Sequence, residues 1–412
     1  MIKTFINITL VLMLTLAAIS CSGHSEGEEP AAGDDGMVNF SIAIYAGDPE
    51  KPESSRAGAP GGGVPGKSGD DYYGEAATKH ERIRTLRAII LRPGGRVEHN
   101  VYLQNTIPSE GLGQYSYIRV KVIGGEKKTV YLFANEASLA HCGVDVNLND
   151  YTAGTTFPAE QFSQYQLSST AGQPLIDNTG SEKFDIPMTE AFDVDIRLPQ
   201  ADGTNREQSA DLFVTRATVK FSFHFHATET PSAEYSFSEL AIESLGNREY
   251  LMPDAANVAY VPAKYPYSFE DRYITDYAVP SGAENQIYIF HPGEKLKFAT
   301  DYVANTVLSY EPQLYFAETK LTADAKYILK LKLAGDADYC AEVPLPNLPS
   351  LPRNTHVKVN VTLANSDVRC TVDVLPYTAV PLNPSFGFDE LLPRPPKPGD
   401  VPPWLDIDPD DE

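Results

Sequence analysis

The chain has 412 residues, with 33 Lys plus Arg against 56 Asp plus Glu and a formal charge of −23. Phosphate binding relies on cationic side chains, and no segregated basic patch is visible, so no nucleic-acid partner is expected. At 42% apolar and 10% aromatic the composition is globular, which excludes disorder throughout and suggests two or three domains. The single long apolar stretch lies at the extreme N-terminus, so no later segment approaches the roughly 20 residues of a spanning helix.

That first stretch reads as an export signal. Lys3 supplies the positive end, Phe5–Ile19 is apolar apart from Asn7, Thr9 and Thr15, and Ser20 precedes Cys21. A Cys in this place resembles the lipobox of bacterial lipoproteins, with Ala18 and Ile19 standing where Leu and Ala are commonest. The resemblance implies that Cys21 is the lipid attachment residue, carrying palmitate-type acyl chains. Two or three such chains anchor stably, at roughly 0.8 kcal/mol per buried methylene. Residues 21–36, with Glu26, Glu28 and Glu29 among Gly and Ser, read as a flexible acidic tether.

Beyond the tether the recurring pattern has period two, which marks strands with one face on a core. Val38, Phe40, Ile42 and Ile44 alternate with small or polar residues, as do Ile118, Val120 and Val122. Ala217, Val219, Phe221, Phe223 and Phe225 form the longest alternation. Leu329 to Leu333, Val357 to Leu363 and Cys370 to Val374 continue it. Many short strands between Pro, Gly and Asn clusters predict an all-β chain of two tandem antiparallel β-sandwich domains. The polar stretch Gln200 to Ala210 marks the expected boundary. The expected map is therefore a signal peptide at 1–20, the tether at 21–36, an N-terminal sandwich at 37–208, a C-terminal sandwich at 209–392 and a tail at 393–412.

Two segments lack periodicity. Residues 47–81 are rich in Gly, Pro, Ser and charge, and predict an exposed loop within reach of a protease. The tail carries seven prolines from Pro393 to Pro409 and a terminal acidic run, which predicts extended or polyproline-like chain.

Few residues carry chemistry. Gly61 to Ser68 matches the phosphate-loop pattern letter for letter, but no strand pattern precedes it and Asp70 and Asp71 follow it, so nucleotide binding is not expected. His224 and His226 share one strand face without a third ligand in view, and no metal site is predicted. No nucleophile elbow occurs and no carboxylate pair stands out, so neither a catalytic residue nor a cofactor is expected. Cys142, Cys340 and Cys370 remain in the exported chain, and Cys340 with Cys370 is the candidate disulfide because both adjoin strands of the C-terminal half. Buried free thiols are the alternative.

The order of several motifs resembles the fimbrillin family of Bacteroidota type V pili. It runs from the Cys21 lipobox through the strand Met37–Ala46 and Ser55, Arg56 and Ala57 to Glu81–Leu91 with Gly94 and Gly95. It continues with Val130–Glu136, Ile186–Thr189, Thr215–Lys220 and Arg353–His356. The resemblance implies tandem β-sandwiches and a structural, non-enzymatic role in a surface fimbrium at the cell outer membrane. Its partners would be other fimbrial subunits, joined by strand addition, the membrane through the lipid anchor, and a host or bacterial surface ligand in cell adhesion. In polymerising members a trypsin-like protease cuts the loop after the first strand. Arg56 occupies the matching place, ahead of Lys67 and Arg82, and an uncut chain with Arg56 an ordinary loop residue is the alternative. The prolines after Pro393 deprive the tail of the N–H groups a donor strand needs, which favours an accessory, tip or anchor subunit over a stalk. A monomeric surface lipoprotein that binds glycan or protein is the second reading.

Overall fold

In a computed structural model of the protein, the described residues are 36–46, 79–104, 115–253, 263–265, 279–282, 286–310, 314–321, 325–346, 348, 350–364 and 367–376. They are nearly all strand, as the alternations predict. The first part contains β1 (Met37–Ala46), β2 (Thr85–Arg92), β3 (Arg96–Gln104), β4 (Tyr115–Ile123) and β5 (Glu126–Ala134). It continues with β6 (Gln166–Ser168), β7 (Ile176–Asp177), β8 (Met188–Ile196) and β9 (Glu207–Arg216). Two short helices, α1 (Ser138–His141) and α2 (Ala159–Gln164), lie between β5 and β6.

The strand path β3-β2-β5-β8-β9-β1-β4 folds over on itself into two layers. Val38, Phe40, Ile42, Ile118, Val120 and Leu212 from one layer meet Leu86, Ile90, Leu132, Met188 and Phe192 from the other in a single core. The two ends of the path are sealed by side chains. Glu98 on β3 accepts from Ile123 N at 2.7 Å, and His99 Nε2 donates to Lys121 O at 2.5 Å, so the β4 edge offers less open backbone to a stray strand. The layer containing β2, β5 and β8 is also buried on its outer side, where Ile89, Tyr131, Phe133 and Ala191 pack with Phe157 and Phe162. This double burial explains the near-continuous apolar run of β2, a pattern that strands covered on both faces share.

The remaining strands begin with β10 (Val219–Ala227), β11 (Tyr235–Leu245), β12 (Arg248–Tyr250), β13 (Ala263–Tyr265), β14 (Gln286–Phe290) and β15 (Lys297–Phe298). They end with β16 (Leu308–Tyr310), β17 (Leu314–Phe316), β18 (Thr319–Lys320), β19 (Ile328–Leu333), β20 (Ala341–Pro344), β21 (Ser350–Leu351), β22 (Thr355–Ala364) and β23 (Asp367–Pro376). A sheet of order β23-β22-β10-β17-β7 faces one of order β14-β11-β19-β20. Phe221, Phe223, Phe225, Leu240, Phe316, Leu329, Val357 and Val359 form the core between them.

Three features depart from the simple tandem reading. The polar stretch 200–210 is not a boundary: β9 runs to Arg216 and pairs with β1, so the chain changes sheets at Ala217 and Thr218. The sheets are not purely antiparallel, because β1 with β9, β10 with β22 and β13 with β8 run parallel. Residues distant in sequence make each parallel contact, as parallel neighbours require. The two parts also interlock, with β6 on β12, β7 on β17 and β13 on β8.

Candidate functional site: the β1 position and the polar node behind it

β1 is an interior strand. It runs antiparallel to β4 from Met37↔Ile123 to Tyr45↔Tyr115, and parallel to β9 from Asn39↔Glu207 to Ala46↔Val214. Val38, Phe40, Ile42 and Ile44 point into the core and are 0% exposed. Gly124 N donates to Gly36 O at 2.9 Å at the start of the strand. Glycine is required at 124: a Cβ would lie 2.9 Å from Val38 Cγ2 and 2.8 Å from Pro199 Cδ. On the outer face Asn39 Nδ2 donates to Glu207 Oε1 at 2.6 Å, and Arg119 NH2 lies 3.2 Å from Glu207 Oε2.

The loop expected at 47–81 is buried at its downstream end. Lys79–Glu81 form a 3-10 turn, His80 Nδ1 lies 2.9 Å from Asp185 Oδ1, and Glu81 is 0% exposed. Arg216 Nε donates to Glu81 O at 2.9 Å, Tyr315 OH donates to Glu81 Oε1 at 2.5 Å, and Lys220 Nζ sits 3.2 Å from the same oxygen. A carboxylate in the core persists when its charge is paired and its lone pairs are bonded, and Glu81 meets both conditions.

Other motif residues extend this node. Asn135 has a φ of 59°, a left-handed conformation that Asn tolerates. Its Oδ1 accepts from Arg84 N and Thr85 N, and its Nδ2 donates to Arg82 O and Ile186 O. Asn354 also has a positive φ, of 58°, and its Oδ1 accepts from Arg216 NH1 at 3.2 Å. Arg353 is held by Glu318, by Leu251 O and by Tyr250 O. Glu249 Oε1 is 4.0 Å from Arg353, and burial holds the Glu249 carboxyl well above the usual carboxylate range despite that nearby cation.

His356 sits 2.8 Å from Ser222 Oγ, and burial first, then the charges of Lys220, Lys358 and His224, push its imidazole down to about 3. The folded-state value lies below the unfolded one, so the favourable contribution is present above about 6.5 and is lost as pH falls toward 3. Urea unfolding should therefore show stability decreasing below pH 6.5 by up to about 1.4 kcal/mol per pH unit, and His356→Gln should flatten that slope. An unchanged slope in the variant would mean that other groups carry the acid sensitivity.

Cys21, Arg56, Lys67 and the phosphate-loop pattern Gly61 to Ser68 lie outside the described residues. Arg82, which with Lys67 is a less favoured cleavage residue, is half-buried within the pinned stub. Cys340 is an exposed free thiol whose Sγ donates to Leu331 O at 3.2 Å, and the side chain of Cys370 is outside the described residues. Cys142 is a buried free thiol that burial pushes up to about 12. His224 and His226 do share a face opposite the three buried phenylalanines, bonded to Ser309 Oγ and Thr362 Oγ1. Among the described residues no group of His, Cys, Asp and Glu could hold a metal. Missed from sequence were Glu81, Arg216 and Arg353 as buried charges, since a charged residue in a loop or at a strand end ordinarily reads as solvent-facing.

These features define a two-sandwich β protein with a central strand placed ahead of a long connection. No protein-family model and no curated protein matches the chain. It is similar to a solved structure described as a candidate cell adhesion protein from Parabacteroides distasonis ATCC 8503, at 10% identity and TM-score 0.47, covering 85% of this chain and 100% of that one. The tip fimbrial protein Mfa3 from Porphyromonas gingivalis, C-terminally truncated, shares 10% identity at TM-score 0.45, with 82% and 99% covered. A fimbrial assembly protein from Parabacteroides distasonis ATCC 8503 shares 11% identity at TM-score 0.42, with 82% and 98% covered.

Proposed function

We propose that the chain is a non-enzymatic subunit of a surface fimbrium, anchored in the outer membrane through acylated Cys21 and joined to other subunits by strand addition at the β1 position. The supporting observation is the placement of β1: an interior strand with its apolar face buried, whose covalent link to the rest of the sandwich is the connection through residues 47–78. Departure of such a strand bares four apolar pockets and two rows of unpaired backbone groups, on β4 and β9, and a second chain's extended segment satisfies both. Arg56 is the proposed cleavage residue. The buried Glu81 stub would keep the downstream end of a cut connection attached while β1 leaves. The proline-rich tail favours an accessory, tip or anchor position. The motif order of the sequence supports the same reading.

The N-terminus of protein purified from the cell surface tests it. Acylated Cys21 is expected for an anchored, uncut subunit and Ala57 for one processed for assembly. An N-terminus at neither residue would reject both the anchor and the cleavage site.

A further inference from the structure

The outer face of β1 carries a feature that strand burial does not require. Arg119 on β4 stands opposite Ser41, and Glu207 on β9 stands opposite Asn39. β1 lies between them, so at ordinary strand spacing their backbones are about 9–10 Å apart. Their side chains nevertheless meet, with Arg119 NH2 3.3 Å from Glu207 Oε1 and 3.2 Å from Oε2, and they must pass over β1 to do so. Ser41, the residue beneath, is only 1% exposed although it points away from the core, and its Oγ has no hydrogen-bond partner among the described residues. Asn39 joins the bridge from below through its bond to Glu207.

We propose that the Arg119–Glu207 bridge is a strap that selects which strand can occupy the β1 position, accepting a segment of another chain with a small residue at the Ser41 place and a hydrogen-bond donor at the Asn39 place. This rests on the reading of β1 as exchangeable and adds the rule for its replacement. The inner face asks for apolar side chains at alternate positions, with a large one at the place of Phe40, a demand that many amphipathic strands meet. The outer face narrows the choice. A branched or aromatic side chain at the Ser41 place would strike the guanidinium, and an apolar residue at the Asn39 place would remove one of the bonds to Glu207. The bridge is ionic and partly exposed, so salt loosens it.

The test uses the full chain, cut once between residues 47 and 78, and labelled peptides spanning Met37–Ala46. Uptake of the unaltered peptide is expected, and the Ser41→Leu peptide should bind about tenfold more weakly because the larger side chain overpacks the space beneath the bridge. A chain carrying Glu207→Gln should take up the unaltered peptide about fivefold faster, the upper range for an exposed ion pair, and should discriminate less against Ser41→Leu. Salt at about 1 M should bring the wild-type chain close to that variant. Equal uptake of both peptides, with Glu207→Gln indistinguishable from wild type, overturns the strap while leaving exchange intact. Failure of the unaltered peptide to enter overturns exchange itself, and the selection rule with it.

Discussion

Replacement of Arg353 by Met is expected to lower the unfolding free energy by roughly 3–5 kcal/mol, the cost of leaving a buried charge without its partner. Arg353 is 8% exposed and Glu318 is 2% exposed, so water cannot substitute for the guanidinium. Its Nε and NH2 reach Glu318 Oε1 at 3.1 and 2.6 Å, and NH2 and NH1 bond Tyr250 O and Leu251 O at 2.5 and 3.3 Å. The substitution therefore strands the Glu318 carboxylate and takes a donor from Tyr250 O, whereas Leu251 O keeps its bond from Thr189 Oγ1 at 2.6 Å. Adding Glu318→Leu should restore a large part of the loss, because a buried pair replaced by apolar groups is often nearly neutral. Urea unfolding of the single and double variants measures both. A single variant within about 1 kcal/mol of wild type would show that the surroundings relax around the vacancy. Arg353, Asn354 and His356 belong to one short motif and bond three different residues: Glu318, Arg216 and Ser222.

Phe40→Ala is the second large effect, at roughly 3–5 kcal/mol, from lost burial and the cavity left between the layers. Phe40 is 0% exposed on a strand flanked on both sides, so no neighbour can collapse into the space without moving a sheet. The loss should concentrate in the first sandwich. Hydrogen exchange of amides in β1 and β4 should accelerate far more than that in β22. Asn39→Ala, on the outer face of the same strand, should cost about 1 kcal/mol or less, the scale of a partly exposed hydrogen bond. Comparable losses for the two substitutions would mean that β1 is not packed with Phe40 inward.

Much of this architecture is legible in the alternating apolar residues. Val38 to Ile44, Ile118 to Val122, Phe221 to Phe225 and Val357 to Leu363 all lie in strands with those residues buried. Side-chain alternation in a strand is a local property of the backbone, so it survives in the sequence. The boundary between sandwiches is not local. Gln200 to Ala210 is polar, yet β9 starts inside it at Glu207, because the first sandwich needs that strand to cover β1. Glu81 reads as a loop residue and is wholly buried, since Arg216, Lys220 and Tyr315 arrive from more than a hundred residues away to bond it. The strap over Ser41 is equally invisible, its two ends being 88 residues apart.

By itself the chain's order of residues determined that it is acidic and all-β, with strands of one apolar face. Tertiary structure decided which strand lies between which, that β1 is interior, and where buried charges find their partners. The physical reason is range: alternation and turn chemistry act over a few neighbouring residues, whereas a paired edge or a satisfied buried charge depends on groups that meet only once the sheets have closed.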